Sequence, residues 1–207
     1  MNPDTSEPKR LTLTDTLRVR TRGIIEPIVD TLARFHFSPD LLTVLGFLTH
    51  VFFAYLIAIG EFRWAALAIA VLSPMDALDG ALARKLGRKQ GGFGAFLDSG
   101  LDRLAEIALF GGFLYYYYVT DYPLMVAVAY LAATGSLMVS YARARAESLG
   151  FEAKVGLLSR VERYLVLIVF LALNLPQYAL AILAVFTYIT FFQLMYSVWK
   201  QSGTADG

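Results

Sequence analysis

Residues 76–102 read DALDGALARKLGRKQGGFGAFLDSGLD and lie between two long apolar runs. This stretch carries two pairs of aspartates, Asp76 with Asp79 and Asp98 with Asp102. A lone carboxylate near a bilayer core is costly unless it is paired, protonated or bound to a cation. Four carboxylates in such a position therefore predict a functional site, and a metal site in particular.

The composition indicates the class of protein. Of the 207 residues, 57% are hydrophobic, and the mean hydropathy is +0.55, which is too apolar for one soluble domain of this length. The formal net charge of +1 gives no indication of nucleic-acid binding. Because the chain has no cysteine, disulfides, thiolate chemistry and Cys-ligated metals are excluded. We expect an all-α integral membrane protein.

Six segments are long and apolar enough to be predicted as transmembrane helices, since a span needs about twenty such residues. They are 41–60, 62–82, 96–119, 122–144, 157–174 and 176–198. Both pairs of aspartates fall at the ends of such segments, the first pair in the second span and the second pair in the third.

An amphipathic helix is predicted before the first span. Apolar residues between Leu17 and Phe35 recur at mostly helical spacing among arginines, which is typical of a helix in the membrane interface. A short helix packed on the bundle from the aqueous side fits the pattern equally well. The expected organisation is a cytoplasmic N-terminal segment over 1–40, a six-helix transmembrane domain over 41–200 and a polar tail over 201–207.

The lysines and arginines predict the orientation. With both termini in the cytoplasm, nearly all basic residues of the connections lie on the inner side, and only Arg63 falls in an outer loop. The basic N-terminal segment has no small-residue cleavage pattern, so it does not resemble a cleavable signal peptide. We therefore expect a multi-pass protein of the cell membrane with the aspartates at the cytoplasmic face.

The predicted topology places the four aspartates at one membrane depth. Asp76 and Asp79 are three residues apart and Asp98 and Asp102 four, so each pair projects from one face of its helix. Several hard oxygen ligands suit Mg²⁺ or Mn²⁺, and so many like charges could not all stay ionised without a cation. The alternative is a set of interfacial ion pairs with the nearby arginines Arg84, Arg88 and Arg103.

The residues after the first pair predict a place for an anion. Gly80 is followed by small side chains, including Ala83, so that a ligand could approach the backbone closely. Arg84 would then face an anionic group. A guanidinium beside divalent cations is typical of a phosphoryl-transfer centre.

The combined pattern resembles the signature of the CDP-alcohol phosphotransferases, membrane enzymes with six transmembrane helices. The matching residues are Asp76-x-x-Asp79-Gly80-x-x-Ala83-Arg84 and Gly94-x-x-x-Asp98-x-x-x-Asp102, with Ser38-Pro39 and Thr43 as a weaker signal. The family usually has eight residues between the arginine and the second glycine, whereas this chain has nine between Arg84 and Gly94. The additional residue falls in a glycine-rich loop, so both halves keep their internal spacing.

The resemblance implies a reaction and a role for each motif residue. A substituted phosphate would pass from a CDP-linked donor, such as CDP-diacylglycerol, to an alcohol, with release of CMP. Two divalent cations, Mg²⁺ or Mn²⁺, would be held by Asp76, Asp79, Asp98 and Asp102, and Asp102 would also be the catalytic base. The CDP donor would be bound by Asp79, Gly80, Ala83 and Arg84. The resemblance also implies a homodimer.

Two later segments indicate the acceptor. SYARARAESLG over 140–150 and LLSRVERYLVL over 157–167 bring four arginines to the side of the aspartates, namely Arg143, Arg145, Arg160 and Arg163. Positive-inside statistics alone would place arginines there. Arg160 and Arg163, however, share a helix face and could jointly hold a phosphate. Both segments look similar to those of prokaryotic phosphatidylinositol-phosphate synthases, which implies inositol phosphate as the acceptor, with glycerol 3-phosphate as the alternative.

The remaining polar residues of the predicted spans are expected to be structural. Glu106 lies one turn beyond Asp102 and is expected to serve helix packing. His36 and His50 lie outside the motifs and have no partner at ligand spacing.

Two other classes of membrane protein use acids near the bilayer. A magnesium-dependent prenyltransferase would also bind a pyrophosphate donor, but the DGALAR motif over 79–84 counts against it. An ion-coupled transporter would carry acids along a path and often contains an inverted repeat. The clustering of the acids at one membrane face argues against transport.

Overall fold

The computed structural model describes residues 13–87, 92–153 and 155–205, and every regular element in that part of the chain is helical. The helices are α1 (Leu13–Arg34), α2 (Pro39–Ala58), α3 (Phe62–Leu72), α4 (Asp76–Lys85), α5 (Phe93–Val119), α6 (Pro123–Ser148), α7 (Arg160–Ala172) and α8 (Pro176–Ala205), with a 3₁₀ turn over Ser73–Met75 between α3 and α4. The predicted all-α class is confirmed.

Three of the described helices are long and apolar enough to cross a membrane. They cover Pro39–Ala58, Pro123–Ser148 and Pro176–Gly203, with mean hydropathies of 2.1, 1.6 and 1.8. Each begins with a proline. Proline suits the first turn of a helix because the N–H groups there have no acceptor within the helix, so that its lack of an N–H costs no hydrogen bond. Among the described residues, the shorter apolar helix over Phe62–Leu72 adds to this apolar set.

Proline interrupts the second predicted span. The segment 62–82 is divided into α3, the 3₁₀ turn over Ser73–Met75 and α4. Pro74 cannot donate a backbone hydrogen bond and its ring disfavours a continuous α-helix, so the chain tightens here. The fifth predicted segment also begins later than expected, because α7 starts only at Arg160. The polar segment predicted to follow the last span is helical through Ala205.

The connections between α2 and α3, between α5 and α6 and between α7 and α8 share one turn geometry. Gly60, Asp121 and Asn174 have positive φ values of 80°, 60° and 60°. After each of them, the next backbone N–H donates to a carbonyl five residues earlier in the preceding helix, as in the bond from Glu61 to Leu56. This is the Schellman end of a helix, and it lets consecutive helices reverse direction within a few residues.

Close helix contacts depend on small residues. A Cβ atom at Gly112 of α5 would lie 2.4 Å from the carbonyl oxygen of Ala54 in α2, and one at Gly135 of α6 would lie 2.1 Å from Thr187 Oγ1 in α8. Small residues at such crossings are common in membrane helices because backbones must approach closely to gain packing energy. The α2–α5 and α6–α8 pairs make the most extensive helix contacts of the described fold.

The first helix packs on the bundle at the end that carries the aspartates. A cluster of buried apolar side chains joins α1 to α2 and α4, and it consists of Val29, Leu42, Leu78 and Leu82. A larger core of aromatic and aliphatic residues fills the opposite part of the bundle, where Phe53, Phe113 and Leu171 are fully buried. Between these two cores the helices leave a polar space.

Candidate active site

A cavity of about 940 Å³ lies where five helices meet. Residues of α1, α2, α4, α5 and α7 form its walls, and they are Ile25, Glu26, Val29, Asp30, Thr43, Gly46, Phe47, His50, Asp79, Gly80, Ala81, Arg84, Lys85, Asp98, Leu101, Asp102, Ala105 and Arg160. Carboxylates and cations thus face one another in a space that is large enough for a nucleotide or a lipid headgroup.

Asp79 is held from two directions. The hydroxyl of Thr43 on α2 donates to Asp79 Oδ2 at 2.8 Å, and the backbone N–H of Gly80 donates to Asp79 Oδ1 at 2.5 Å. Only 9% of the residue is exposed. The carboxylate therefore has a defined orientation in the cavity wall, because both of its oxygens accept a hydrogen bond.

Asp102 faces the cavity from α5 and forms an ion pair across it. Arg160 Nη1 lies 2.6 Å from Asp102 Oδ2, and Arg103 Nη1 lies 4.0 Å from the same oxygen. The charges of Asp79 and Asp102 repel each other, and Arg160 attracts Asp79 as well. Arg160 thus contacts Asp102 and also attracts Asp79.

The first aspartate of each pair has fewer described contacts. Asp98 lies one turn before Asp102 on α5 and lines the same cavity with an exposed side chain. Asp76 begins α4, but its side chain lies outside the described part of the structure. The structure therefore brings together three of the four predicted metal ligands around one cavity.

The donor set fits a hard divalent cation in its chemistry. Asp79, Asp98 and Asp102 all present carboxylate oxygens to one cavity, which is the ligand type that Mg²⁺ and Mn²⁺ prefer. Among the described side chains, no three acidic or histidine groups are grouped tightly enough to hold an ion by themselves. A complete coordination shell would therefore draw on Asp76 or on the oxygens of a bound substrate.

The predicted donor residues largely line the cavity. Arg84 lies beside Gly80, since a Cβ atom built at Gly80 would be 3.4 Å from Arg84 Nη1. Gly80 and Arg84 are both in the cavity wall, whereas Ala83 is not. At the rim, Lys85 of α4 forms an ion pair with Asp30 of α1.

The four predicted acceptor arginines occupy different surroundings. Arg160 lines the cavity, while Arg143, Arg145 and Arg163 do not. Arg143 Nη2 donates to the carbonyl of Val155 at 3.4 Å, and Arg145 is exposed. The shared helix face of Arg160 and Arg163 therefore does not give the two side chains the same partner.

Arg163 belongs to a buried network behind the cavity. Its Nη2 donates to Glu106 Oε1 at 2.5 Å and to Ser140 Oγ at 3.3 Å. The Ser140 hydroxyl donates in turn to Glu106 Oε2 at 3.4 Å. This network ties α5, α6 and α7 together, which agrees with the packing role expected for Glu106.

Two contacts, one in the cavity wall and one behind it, were not predicted from the sequence. His50 lines the cavity and is hydrogen-bonded to Tyr164 of α7, and Glu106 neutralises Arg163. The position of His50 in the cavity wall could have been inferred from the sequence, because Thr43, Gly46 and His50 lie on one face of α2 at three- and four-residue spacing. Nothing local indicates that Tyr164, 114 residues away, would meet His50.

Comparisons with known proteins identify the family. The sequence model of the CDP-alcohol phosphatidyltransferase family matches residues 36–199. The phosphatidylinositol phosphate synthase of Cutibacterium acnes is 40% identical over 148 residues, which cover 70% of this chain and 71% of the relative. The archaetidylinositol phosphate synthase of Pyrococcus horikoshii is 35% identical over 186 residues, which cover 89% and 96%.

Solved structures show the same fold. The phosphatidylinositol phosphate synthase of Mycobacterium tuberculosis with CDP-DAG bound has a TM-score of 0.76 and 31% sequence identity, and the match covers 86% of this chain and 94% of that one. The same enzyme in complex with manganese and citrate has a TM-score of 0.76 at 30% identity, with 84% and 88% covered.

Proposed function

Because the chain belongs to the CDP-alcohol phosphatidyltransferase family, we propose that it transfers a phosphatidyl group from CDP-diacylglycerol to inositol phosphate. The products are phosphatidylinositol phosphate and CMP. The observation that carries the proposal is the cavity in which Asp79 and Asp102 face Arg160 and Arg84. Relatives named for inositol phosphate products match most of the chain.

The acids have separable roles in this reaction. Asp76, Asp79, Asp98 and Asp102 hold two divalent cations, Mg²⁺ or Mn²⁺. Bound there, the cations neutralise the donor pyrophosphate and stabilise the departing CMP. Thr43 and the Gly80 N–H fix the orientation of Asp79, which suits a residue whose task is to present oxygens and not to move a proton.

Asp102 is the base for the acceptor. A hydroxyl oxygen of the acceptor attacks the phosphorus that carries the diacylglycerol, the bond from that phosphorus to the CMP oxygen breaks, and the hydroxyl proton passes to Asp102. Arg160 orients this carboxylate through the 2.6 Å contact. Gly80, Ala83 and Arg84 hold the CMP half of the donor, with Asp79 beside them.

The arginines of α6 and α7 recognise the phosphate of the acceptor. Arg160 is nearest to Asp102 and can present its guanidinium both to that carboxylate and to an acceptor phosphate. Arg143 and Arg145 supply positive charge at the same end of α6. Arg163 contributes by fixing the start of α7 through Glu106. The curated relatives differ in the lipid that their names give but share an inositol phosphate product.

The proposal also includes the placement of the protein in the membrane. Six helical segments cross the cell membrane, with α3 and α4 together forming the second, and the active site and both termini face the cytoplasm. The N-terminal segment is cytoplasmic and carries the amphipathic helix α1 at the membrane interface, and the protein forms a homodimer. A lipid-tailed donor then reaches the cavity laterally while its nucleotide remains in water.

Release of CMP from a defined donor tests the proposal. The purified protein is reconstituted into lipid with CDP-diacylglycerol and with inositol phosphate, glycerol 3-phosphate, serine or inositol as the acceptor. We expect CMP release that requires Mg²⁺ or Mn²⁺ and is fastest with inositol phosphate. Faster release with glycerol 3-phosphate would correct the acceptor, and no release with any of the four would refute the transferase function.

A further inference from the structure

His50 is a histidine buried among apolar helices, with 1% of its surface exposed. Its Nδ1 lies 2.8 Å from the carbonyl oxygen of Gly46. Since a carbonyl can only accept, Nδ1 carries the hydrogen and Nε2 of the neutral ring is an acceptor. The hydroxyl of Tyr164 donates to Nε2 at 2.6 Å. This bond joins α2 to α7 at the cavity wall.

Tyr164 in turn supports the arginine at the catalytic base. Tyr164 lies one turn after Arg160 on α7, and the guanidinium carbon of Arg160 lies 5.8 Å from the centre of the Tyr164 ring. That distance is within the range of a cation–π contact. Arg160 extends from this ring to Asp102, which it meets at 2.6 Å. Contacts therefore run without a break from the backbone of α2 to the carboxylate on α5.

We propose that His50 and Tyr164 form a positioning pair that holds Arg160 against Asp102. Neither residue need touch the substrate. The same face of α2 carries Thr43, two turns before His50, and Thr43 binds Asp79 directly. One face of α2 thus orients Asp79 by direct contact and Asp102 through Tyr164 and Arg160. This role rests on the proposed function, because it concerns the acid and the arginine of that site.

A purely structural role for the pair makes a different demand on the side chains. Core filling needs the volume of Tyr164 but not its hydroxyl, whereas positioning needs the hydrogen bond that stops the ring from turning. Tyr164→Phe keeps the ring and removes only the bond to His50. We expect this variant to raise the KM for inositol phosphate about fivefold, the value of one net hydrogen bond, and to leave the KM for the donor unchanged. His50→Leu removes the ring nitrogen that accepts this hydrogen bond, and it should raise the KM for inositol phosphate by a similar factor.

A double-mutant cycle with Arg160→Ala tests whether the pair acts through Arg160. Coupled residues give non-additive losses, so Tyr164→Phe should raise the acceptor KM in the wild-type background and have little further effect in the Arg160→Ala background. Tyr188→Phe is the matched control. It removes a tyrosine hydroxyl that lies 3.0 Å from Thr134 Oγ1, outside the cavity wall, and should leave the acceptor KM unchanged.

Two results would overturn the positioning pair. One is a rise in the acceptor KM on Tyr164→Phe that is the same in the wild-type and Arg160→Ala backgrounds. The other is an equal effect of Tyr164→Phe and Tyr188→Phe on the acceptor KM. Wild-type activity is measured first, so that failure of the proposed function is recognised separately. If the wild type released no CMP, the cycle would be read from melting temperatures, where the loss caused by Tyr164→Phe must still be smaller in the Arg160→Ala background. Equal losses there would also overturn the pair.

Discussion

Two ion pairs join α5 to α7 about one turn apart, and they differ mainly in burial. Asp102 and Arg160 meet at 2.6 Å with side chains 28% and 33% exposed, whereas Glu106 and Arg163 meet at 2.5 Å with 5% and 4% exposed. The outer pair lies in the cavity wall, and the inner pair is enclosed by α5, α6 and α7. Burial thus separates two chemically similar contacts.

This difference determines what each pair can do. A partly exposed pair contributes little to stability, so its members can accept a proton or a ligand without endangering the fold. A buried pair is costly to break, because the remaining charge has no solvation. The outer pair is therefore suited to catalysis and the inner pair to holding the helices that carry it.

Asp102→Asn should give the largest change in activity at the outer pair. Removal of a general base lowers turnover by about 100-fold or more, while donor binding should be retained better than in Asp79→Asn, because the proposed role of Asp79 is chiefly that of a metal ligand. Steady-state turnover and binding of CDP-diacylglycerol by each variant measure the two effects. An equal loss of donor binding in both variants would contradict this division of roles.

Glu106→Gln should give the largest change in stability at the inner pair. It leaves the Arg163 guanidinium buried without its counter-charge, at a cost of about 3–5 kcal/mol. The melting temperature in detergent measures the loss. Combination with Arg163→Met should recover much of it, since neither charge is then left alone. A Glu106→Gln protein as stable as the wild type would show that the buried pair does not hold these helices together.

Arg160→Ala should affect the acceptor more than the fold. One charge-assisted contact to a phosphate is lost, and we expect the KM for inositol phosphate to rise about tenfold with the donor KM changed much less. The melting temperature should fall less than in Glu106→Gln, because the outer pair is partly exposed. Unchanged acceptor kinetics would remove Arg160 from the acceptor site.

The rim pair of Lys85 and Asp30 should give the smallest effect. Both side chains are more than 40% exposed, at 43% and 51%, and exposed pairs contribute about 1 kcal/mol or less. Asp30→Asn is therefore expected to change the melting temperature and CMP release only slightly at physiological salt. A loss comparable to that of Glu106→Gln would mean that α1 closes the cavity through this contact.

The helices and the placement of each aspartate pair on one helix face were predictable because they depend on local spacing. Apolar runs of about twenty residues predict long helices, and Pro74 accounts for the break in the second of them. The intervals within 76–102 place aspartates on one face of each helix. These features need no knowledge of how distant segments meet.

The buried partners were not predictable because they depend on tertiary contacts. Helical spacing indicates that Arg160 and Arg163 share a face, but not that one meets the cavity and the other meets Glu106. In the same way, the spacing within α2 does not indicate that His50 meets the Tyr164 hydroxyl, because that hydroxyl comes from another helix.

The most direct measurement of the central claim compares the formation of lipid product with the release of CMP in wild-type protein and in Asp102→Asn. Both are followed in one reconstituted sample with CDP-diacylglycerol, inositol phosphate and Mg²⁺. We predict that the wild type forms phosphatidylinositol phosphate and CMP in equal amounts, and that Asp102→Asn forms neither at more than about one hundredth of that rate. Equal rates in the two proteins, or CMP release without the lipid product, would contradict the account.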